Sequence, residues 1–344
     1  MGAILVVNAG STSLKLSLVQ DDESTETVQS LDAVAAVDLD AVAHRVVHGG
    51  PHFTEPVVID DPARQAIHDL ETLAPLHNAP ALRGIGEATS SHPNVPHVAV
   101  FDTAFHATIP PEASTYAIPR AWREKWEIRR YGFHGLSVQW AAERVAVSRL
   151  VVCHLGGGCS VTAVRDGRSV DTTMGFTPLE GVPMATRSGS IDPGALLYLL
   201  RESEFDAESL DHALNFDSGL TGLAGSGEMS EIDERANRGD SQAALALEVF
   251  SYRVASAVAA MAVAAGGLDA LVFTAGIGER SALTRARICD RLDFLGVRLD
   301  SDANSAAEPD AEVASRNSTV RIVVLEARED LIAARAARVV ISVG

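Results

Sequence analysis

Three kinds of residue in this 344-residue chain stand where they could do chemistry: hydroxyls and glycines in tight turns, arginines beside apolar strands, and carboxylates or histidines at strand ends. The first turn reads Asn8-Ala9-Gly10-Ser11-Thr12-Ser13-Leu14-Lys15. Its hydroxyls and backbone N–H groups suit phosphate oxygens or a Mg²⁺-bound water; an ordinary Ser/Thr turn is the plain alternative. His44-Arg45-Val46-Val47-His48-Gly49-Gly50 sets a fixed positive charge among strand-like apolar residues. Such a charge is costly to bury unless it meets an anion, either a ligand or a structural carboxylate. Phe101-Asp102-Thr103-Ala104-Phe105-His106 follows an apolar stretch, so Asp102 at a strand end could be a base, a metal ligand or a loop cap. Tyr131-Gly132-Phe133-His134-Gly135 flanks His134 with glycines, although a lone histidine is more often structural than catalytic. Met184-Ala185-Thr186-Arg187-Ser188-Gly189 supplies another arginine in a Gly/Ser loop.

The elements that must position these residues show a repeat. Residues 4–19 read as a β-branched run, a Gly/Ser turn and a second alternating strand, and residues 151–164 read the same way. A strand–turn–strand unit gathers backbone N–H groups at its tip, where phosphate oxygens can be cradled. One such hairpin means little. Two copies, one beginning at residue 4 and the other at 151, predict a duplicated α/β fold with one phosphate loop per half. A third segment, 270–280, is an apolar strand followed by Gly-x-Gly and a helix start. Helical spacing marks 62–74, 136–148, 192–202 with Pro193 in its first turn, and 240–265. Residues 301–318 read as a polar surface loop plus helix, and a strand at 322–326 and a helix at 329–339 follow. No linker is rich enough in Pro or Ser to mark a tether, so the domains are expected to be closely joined, with a hinge.

Bulk composition narrows the function classes. The length suits two domains, and 47% hydrophobic residues supply their cores, with only 5% aromatics to help. A net charge of −18 repels nucleic-acid backbones, so no nucleic-acid partner is expected. The same charge means that a site for an anionic substrate must carry local Arg, Lys or metal. The three cysteines, Cys153, Cys159 and Cys289, form no zinc pattern or disulfide framework and read as buried small side chains in a reducing compartment. The chain starts on a strand-like run without a signal pattern, and no apolar run reaches about 20 uninterrupted residues. The Ala-rich run at 254–268 reads as a core helix. The expectation is a cytoplasmic protein with no membrane partner.

Several motifs together resemble one family. Asn-Ala-Gly-Ser-x-Ser-Leu-Lys at 8–15, His-Arg-Val-Val-His-Gly-Gly at 44–50, Pro-Leu-His-Asn-x-Pro at 75–80 and Phe-Asp-Thr-Ala-Phe-His at 101–106 are similar to acetate kinase signatures. So are Arg-Arg-Tyr-Gly-Phe-His-Gly at 129–135, Asp-Thr-Thr-Met-Gly-Phe-Thr-Pro-Leu-Glu-Gly at 171–181 and Phe-Thr-Ala-Gly-Ile-Gly-Glu at 273–279. The resemblance runs in the family's order from residue 4 to about 331. It implies two ribonuclease H-like, actin-like ATPase domains with a cleft between them: residues 1–104 plus about 331–344, and 105–330 carrying the nucleotide site. It also implies a homodimer, in which the helix at 240–265 could serve an interface.

The implied reaction is Mg²⁺-dependent, reversible phosphoryl transfer between ATP and acetate, with propionate taken less well and Mn²⁺ able to replace Mg²⁺. Physics supports such a site's need for cations. A carboxylic acid is already ionised at pH 7, so it needs no base to become a nucleophile. It must instead approach an anionic phosphoryl group. Two unit charges about 4 Å apart repel by roughly 4 kcal/mol at an effective dielectric of about 20. The resemblance makes Arg45 and Arg187 the catalytic arginines, His134 a donor to the phosphoryl group in the transition state, and Asp102 the organising carboxylate. It places Mg²⁺ on Asn8 and Glu329, directly or through water. Val47, Leu76, Phe133 and Pro178 match the apolar acyl pocket, with His77 nearby. Ser11, Ser13, Lys15, His154, Gly156, Gly157, Gly158, Glu228, Gly276, Ile277 and Gly278 match nucleotide- or phosphate-binding positions.

Departures from the pattern gather on the nucleotide side. Gly157 replaces an Asn in the second hairpin, Ser230 stands where an Arg is usual, and Ser190 where an Asp is usual. Ala327-Arg328-Glu329-Asp330 replaces Thr-Asn-Glu-Glu but keeps an acidic pair, and the N-terminal region is trimmed. These changes leave two rivals: an acid kinase with another donor, such as a different nucleotide or pyrophosphate, and a nucleotide-binding homologue that has lost catalysis. A sugar kinase fits the fold class, but its hydroxyl acceptor needs a base and no sugar-kinase signature accompanies Asp102.

Overall fold

The computed structural model describes residues 2–9, 14–72 and 75–343, without the side chains at 72, 75–77 and 343. The chain forms two compact α/β units. Unit 1 is Met1–Thr108, Tyr116–Trp140 and Arg328–Gly344; unit 2 is Ile109–Thr115 and Ala141–Ala327.

Unit 1 contains strands β1 (Ala3–Ala9), β2 (Leu14–Val19), β3 (Thr25–Val28), β4 (Leu39–Val46), β5 (Val57–Val58) and β6 (His97–Phe101). They form one six-stranded sheet in the order β3-β2-β1-β4-β6-β5. β1, β2 and β3 make an antiparallel meander; β1, β4 and β6 run parallel. The continuous apolar run of β1 is buried throughout, as a strand covered on both faces requires. Leu5 and Val7 pack with Leu16, Leu18, Val42 and Ala88, the last on helix Pro75–Ser91. Helix Glu329–Val343 also packs on β1, β4 and β6.

Unit 2 contains β7 (Arg149–Leu155), β8 (Cys159–Arg165), β9 (Arg168–Thr172), β10 (Ala270–Thr274), β11 (Ala311–Glu312) and β12 (Arg321–Val324), in the order β11-β12-β10-β7-β8-β9. The plan of unit 1 recurs: an antiparallel meander whose first strand, β7, begins a parallel set with β10 and β12. Each sheet ends in a two-residue antiparallel strand, β5 or β11. The duplicated α/β fold predicted from the two hairpins is the fold the chain adopts.

Helix Ser241–Ala265 packs on β7, β8 and β9. Its start is fixed by Asp240, whose carboxylate accepts from Gln242 N and Ala243 N, and its end by Gly266 in the left-handed conformation, φ +76°. It is long and apolar enough to cross a membrane, yet Ala246, Phe250, Val254 and Val258 are buried within unit 2. The helix expected at 136–148 ends at Val145, where Ala146 takes φ +49°. Residues 301–318 form helix Ser301–Ser305, β11 and loops. Helix Pro75–Ser91 has no counterpart in the periodicity reading, because Pro80 lies inside it and its apolar residues lack a clear stripe.

Candidate active site

The carboxyl ends of three adjacent parallel strands bring the first group together. Asn8 on β1 stands in register with Arg45 on β4, and Asp102 directly follows β6, which neighbours β4. Ligand sites in open α/β sheets form at such strand ends. Arg45 donates from Nε to Asp102 Oδ1 at 2.9 Å and from Nη2 to Oδ2 at 2.6 Å, a two-pronged pair. Its Nη1 reaches Asn8 Oδ1 at 3.1 Å and Glu329 Oε2 at 2.9 Å, and Asn8 Nδ2 donates to the same Glu329 oxygen at 3.2 Å. Glu329 is the first residue of the last helix.

The charges in this cluster do not balance: one guanidinium faces two carboxylates, with Asp102 fully buried and Arg45 and Glu329 each 15% exposed. Burial raises the Glu329 pKa; Arg45 pulls it down, Asp102 pushes it up, and the Asn8 hydrogen bond and the exposed Lys15 pull it down by less. Burial opposes the Arg45 charge, but Asp102 and Glu329 more than offset that, so its pKa lies above the ordinary value. The cluster as it stands therefore favours additional positive charge.

Surrounding loops hold the cluster rigidly. Gly135 N donates to Asp102 O at 3.0 Å, and a Cβ on Gly135 would lie 2.0 Å from that oxygen. No side chain fits there. The preceding His134 is partly buried with φ +60°, an uncommon conformation for a residue with a Cβ. His106 Nε2 lies 2.9 Å from Phe133 O, and burial pushes the His106 pKa down to about 4, so the ring is neutral at pH 7. Val47 and Phe133 are buried, and the His48 ring meets the edges of Tyr131 and Phe133. Asn78 clamps the His48 backbone, accepting from its N–H and donating to its C=O, both at 3.1 Å. Sequence reasoning assigned Asn78 no role; the available signal was an amide residue between His77 and the apolar run Ala79-Pro80-Ala81-Leu82. Lys15 is exposed and pairs through its backbone with Asn8. Ser11 and Ser13 lie outside the described residues, as do the side chains of Leu76 and His77.

Unit 2 gathers a second group. In the β7–β8 hairpin His154 pairs with Ser160, Gly156 N donates to Gly158 O at 3.0 Å, and Cys159 Sγ donates to Gly156 O at 3.3 Å. Gly157 is exposed, and a Cβ built on it meets nothing within 4 Å. A Cβ on Gly156 would lie 3.5 Å from Ala275 Cβ and 3.9 Å from Gly276 N, so the hairpin adjoins the 275–278 turn, the first turn of helix Ala275–Arg280. Gly157 O accepts from Ala185 N at 3.3 Å, which joins the hairpin to the loop bearing Arg187. Arg187 Nη1 donates to Pro178 O at 3.3 Å, and burial lowers the Arg187 pKa. Gly219, at φ +60°, lets its chain approach Met184 O and Arg187 O, where a Cβ would lie at 2.2 and 2.6 Å. Glu228 and Ser230 are exposed at the start of helix Met229–Asn237. Ser190 N donates to Gly181 O at 2.8 Å and its hydroxyl accepts from Gly181 N at 3.2 Å. The Thr274 hydroxyl, at the end of β10, is buried with no hydrogen-bond partner among the described residues.

No group of three or more His, Cys, Asp or Glu side chains forms a metal cage among the described residues. Asn8 and Glu329 do converge, and Mg²⁺ commonly keeps several waters and takes only one or two carboxylates. With the excess negative charge of the Arg45 cluster, this donor set fits a water-mediated Mg²⁺.

Comparison with known proteins gives a consistent result. The chain matches the Acetokinase family over residues 25–335. An acetate kinase of Nostoc punctiforme is 47% identical over 302 residues, covering 85% of this chain and 74% of that protein. Among solved structures, a propionate kinase from Francisella tularensis has a TM-score of 0.91 at 37% identity, over 98% of this chain and 99% of the other. The acetate kinase of Porphyromonas gingivalis has a TM-score of 0.87 at 30% identity, over 99% and 100%.

Proposed function

The chain belongs to the acetokinase family, and we propose from this that it transfers a phosphoryl group reversibly between ATP and acetate, taking propionate less well. The Arg45 cluster is the observation that carries the chemical reading. A carboxylate acceptor is ionised at neutral pH, so the site must supply fixed charge and geometry, not a base. Arg45 is always charged, and Asp102 holds its planar fork in one orientation. His134, pinned beside Gly135, is the proposed hydrogen-bond donor to the transferring group. Val47 and Phe133 are the buried apolar side chains we assign to the acyl group; one methylene in such a site discriminates by only about 1–3 kcal/mol.

In unit 2, Arg187 is the second cation assigned to the reaction. Burial works against its charge, so an arriving anion would stabilise the charged form. The Gly156–Gly158 hairpin tip, with His154 at its base and the adjacent Gly276, Ile277 and Gly278, is assigned to the nucleotide phosphates, and Glu228 and Lys15 are further nucleotide-side assignments. Asn8 and Glu329 would hold Mg²⁺ through water, and the bound ion would neutralise phosphate charge.

Incubating the purified protein with ATP, acetate and hydroxylamine tests this reading. Acyl hydroxamate should form only with Mg²⁺ or Mn²⁺ present, and Arg187→Ala should lower kcat by about 10³-fold or more. Folded wild-type protein that yields no hydroxamate would sink the proposal.

A further inference from the structure

We infer that Glu279 and Arg285 are positioning residues for nucleotide binding: from outside the phosphate contacts, they fix the shape of the 275–278 turn. The inference rests on the assignment of that turn to the nucleotide. One oxygen of the Glu279 carboxylate, Oε1, accepts from Ala275 N at 2.8 Å and from Ala327 N at 3.0 Å. Glu279 thereby ties the first residue of the turn to the segment two residues ahead of Glu329. Ala275 needs such a hold, because it carries a Cβ at φ +63°.

Arg285 grips the other end of the turn. Its Nη1 donates to Gly278 O at 2.9 Å and to Glu279 O at 2.8 Å. Its Nε and Nη2 donate to Asn304 Oδ1 at 2.7 Å and Asn304 O at 2.9 Å, and Asn304 Nδ2 donates to Ala282 O at 2.8 Å. The side chain is 1% exposed, and these four acceptors are all neutral oxygens. A guanidinium buried without a carboxylate is costly, and an apolar side chain would fill the space at less expense. What the guanidinium adds is direction: Asn304 accepts from Nε and Nη2 and so fixes its plane, and Nη1 then donates to two consecutive carbonyls. Carbonyls held backward at 278 and 279, and an N–H held at 275, leave the turn one conformation. The Gly156 tip adjoins that same turn.

The test separates an acceptor that shapes the turn from a charge and from mere bulk stability. Titration calorimetry with Mg-ATP should show Glu279→Ala weakening binding by about tenfold to a hundredfold, as lost hydrogen bonds to a charged group imply. Glu279→Gln keeps one carbonyl oxygen to accept both N–H groups, so its affinity should stay within about threefold of wild type. KM for acetate should move little in either variant. Arg285→Met, which keeps the apolar stem, should raise KM for ATP and leave KM for acetate, giving an independent reading if Glu279→Ala folds poorly. Equal losses in Glu279→Gln and Glu279→Ala would overturn the inference by making charge the active feature. So would wild-type ATP affinity in Glu279→Ala and Arg285→Met. Wild-type protein that binds no ATP would instead overturn the nucleotide assignment itself.

Discussion

Replacing Arg45 by Gln should expose the electrostatic logic of the site. Two carboxylates, Asp102 at no exposure and Glu329 at 15%, would then face each other without their shared cation. Removing one partner of a buried ion pair typically costs about 3–5 kcal/mol. The size of that loss should depend on pH, and the sign can be worked out. Glu329 already has a raised pKa in the folded chain, and loss of Arg45 pushes it higher. An acid with a raised folded pKa is unpenalised below its unfolded pKa and loses stability as pH rises toward the folded value. The cost of Arg45→Gln should therefore shrink by about 1.4 kcal/mol for each pH unit over which Glu329 is protonated in the variant but still ionised in the wild type. Urea unfolding of wild type and Arg45→Gln at pH 8 and pH 5 measures this. A loss of about 3–5 kcal/mol at pH 8 that is smaller at pH 5 fits the reasoning. An equal loss at both values would mean that Gln acts through packing, and the charge account would be wrong.

Other expectations follow from single contacts. Gly135→Ala forces a Cβ to within 2.0 Å of Asp102 O, so soluble yield, thermal stability and activity should all fall sharply; a variant with wild-type unfolding temperature would contradict that contact. Folded His106 titrates at about 4 against 6.5 unfolded, so its contribution is complete above about pH 6.5 and is lost as pH falls toward 4, by about 3 kcal/mol at the end. NMR should show a neutral His106 ring at pH 5.5, and a protonated ring there would refute its burial as the cause. Gly157→Asn meets open space, so unfolding free energy should change by less than about 1 kcal/mol, with any effect confined to nucleotide KM; a large stability loss would contradict the open geometry.

Much of this molecule was legible because its chemistry is local. The hairpins at 4–19 and 151–164 announced the duplication through strand periodicity and turn residues, and β1–β2 and β7–β8 form there. Arg45 and Asp102 each stood out by residue type, but which anion Arg45 meets was open. Their pairing joins positions 57 residues apart and depends on β4 lying beside β6, which no local pattern encodes. Asn78 and Arg285 stayed hidden for the same reason: each acts on backbone atoms that only the folded chain brings near. Helix Pro75–Ser91 was missed because local preference, with Pro80 inside, opposed what packing on β1 and β4 imposes.

The central claim is a choice of donor and acceptor, and one measurement addresses it directly. Purified protein should be assayed for the phosphorylated acceptor, acyl phosphate or phosphate ester, with ATP, GTP or pyrophosphate against acetate, propionate and a sugar alcohol, each with Mg²⁺. The account predicts highest kcat/KM for ATP with acetate, a smaller value for propionate, and no transfer to the hydroxyl. Equal or better rates with pyrophosphate, or transfer to the hydroxyl alone, would contradict it.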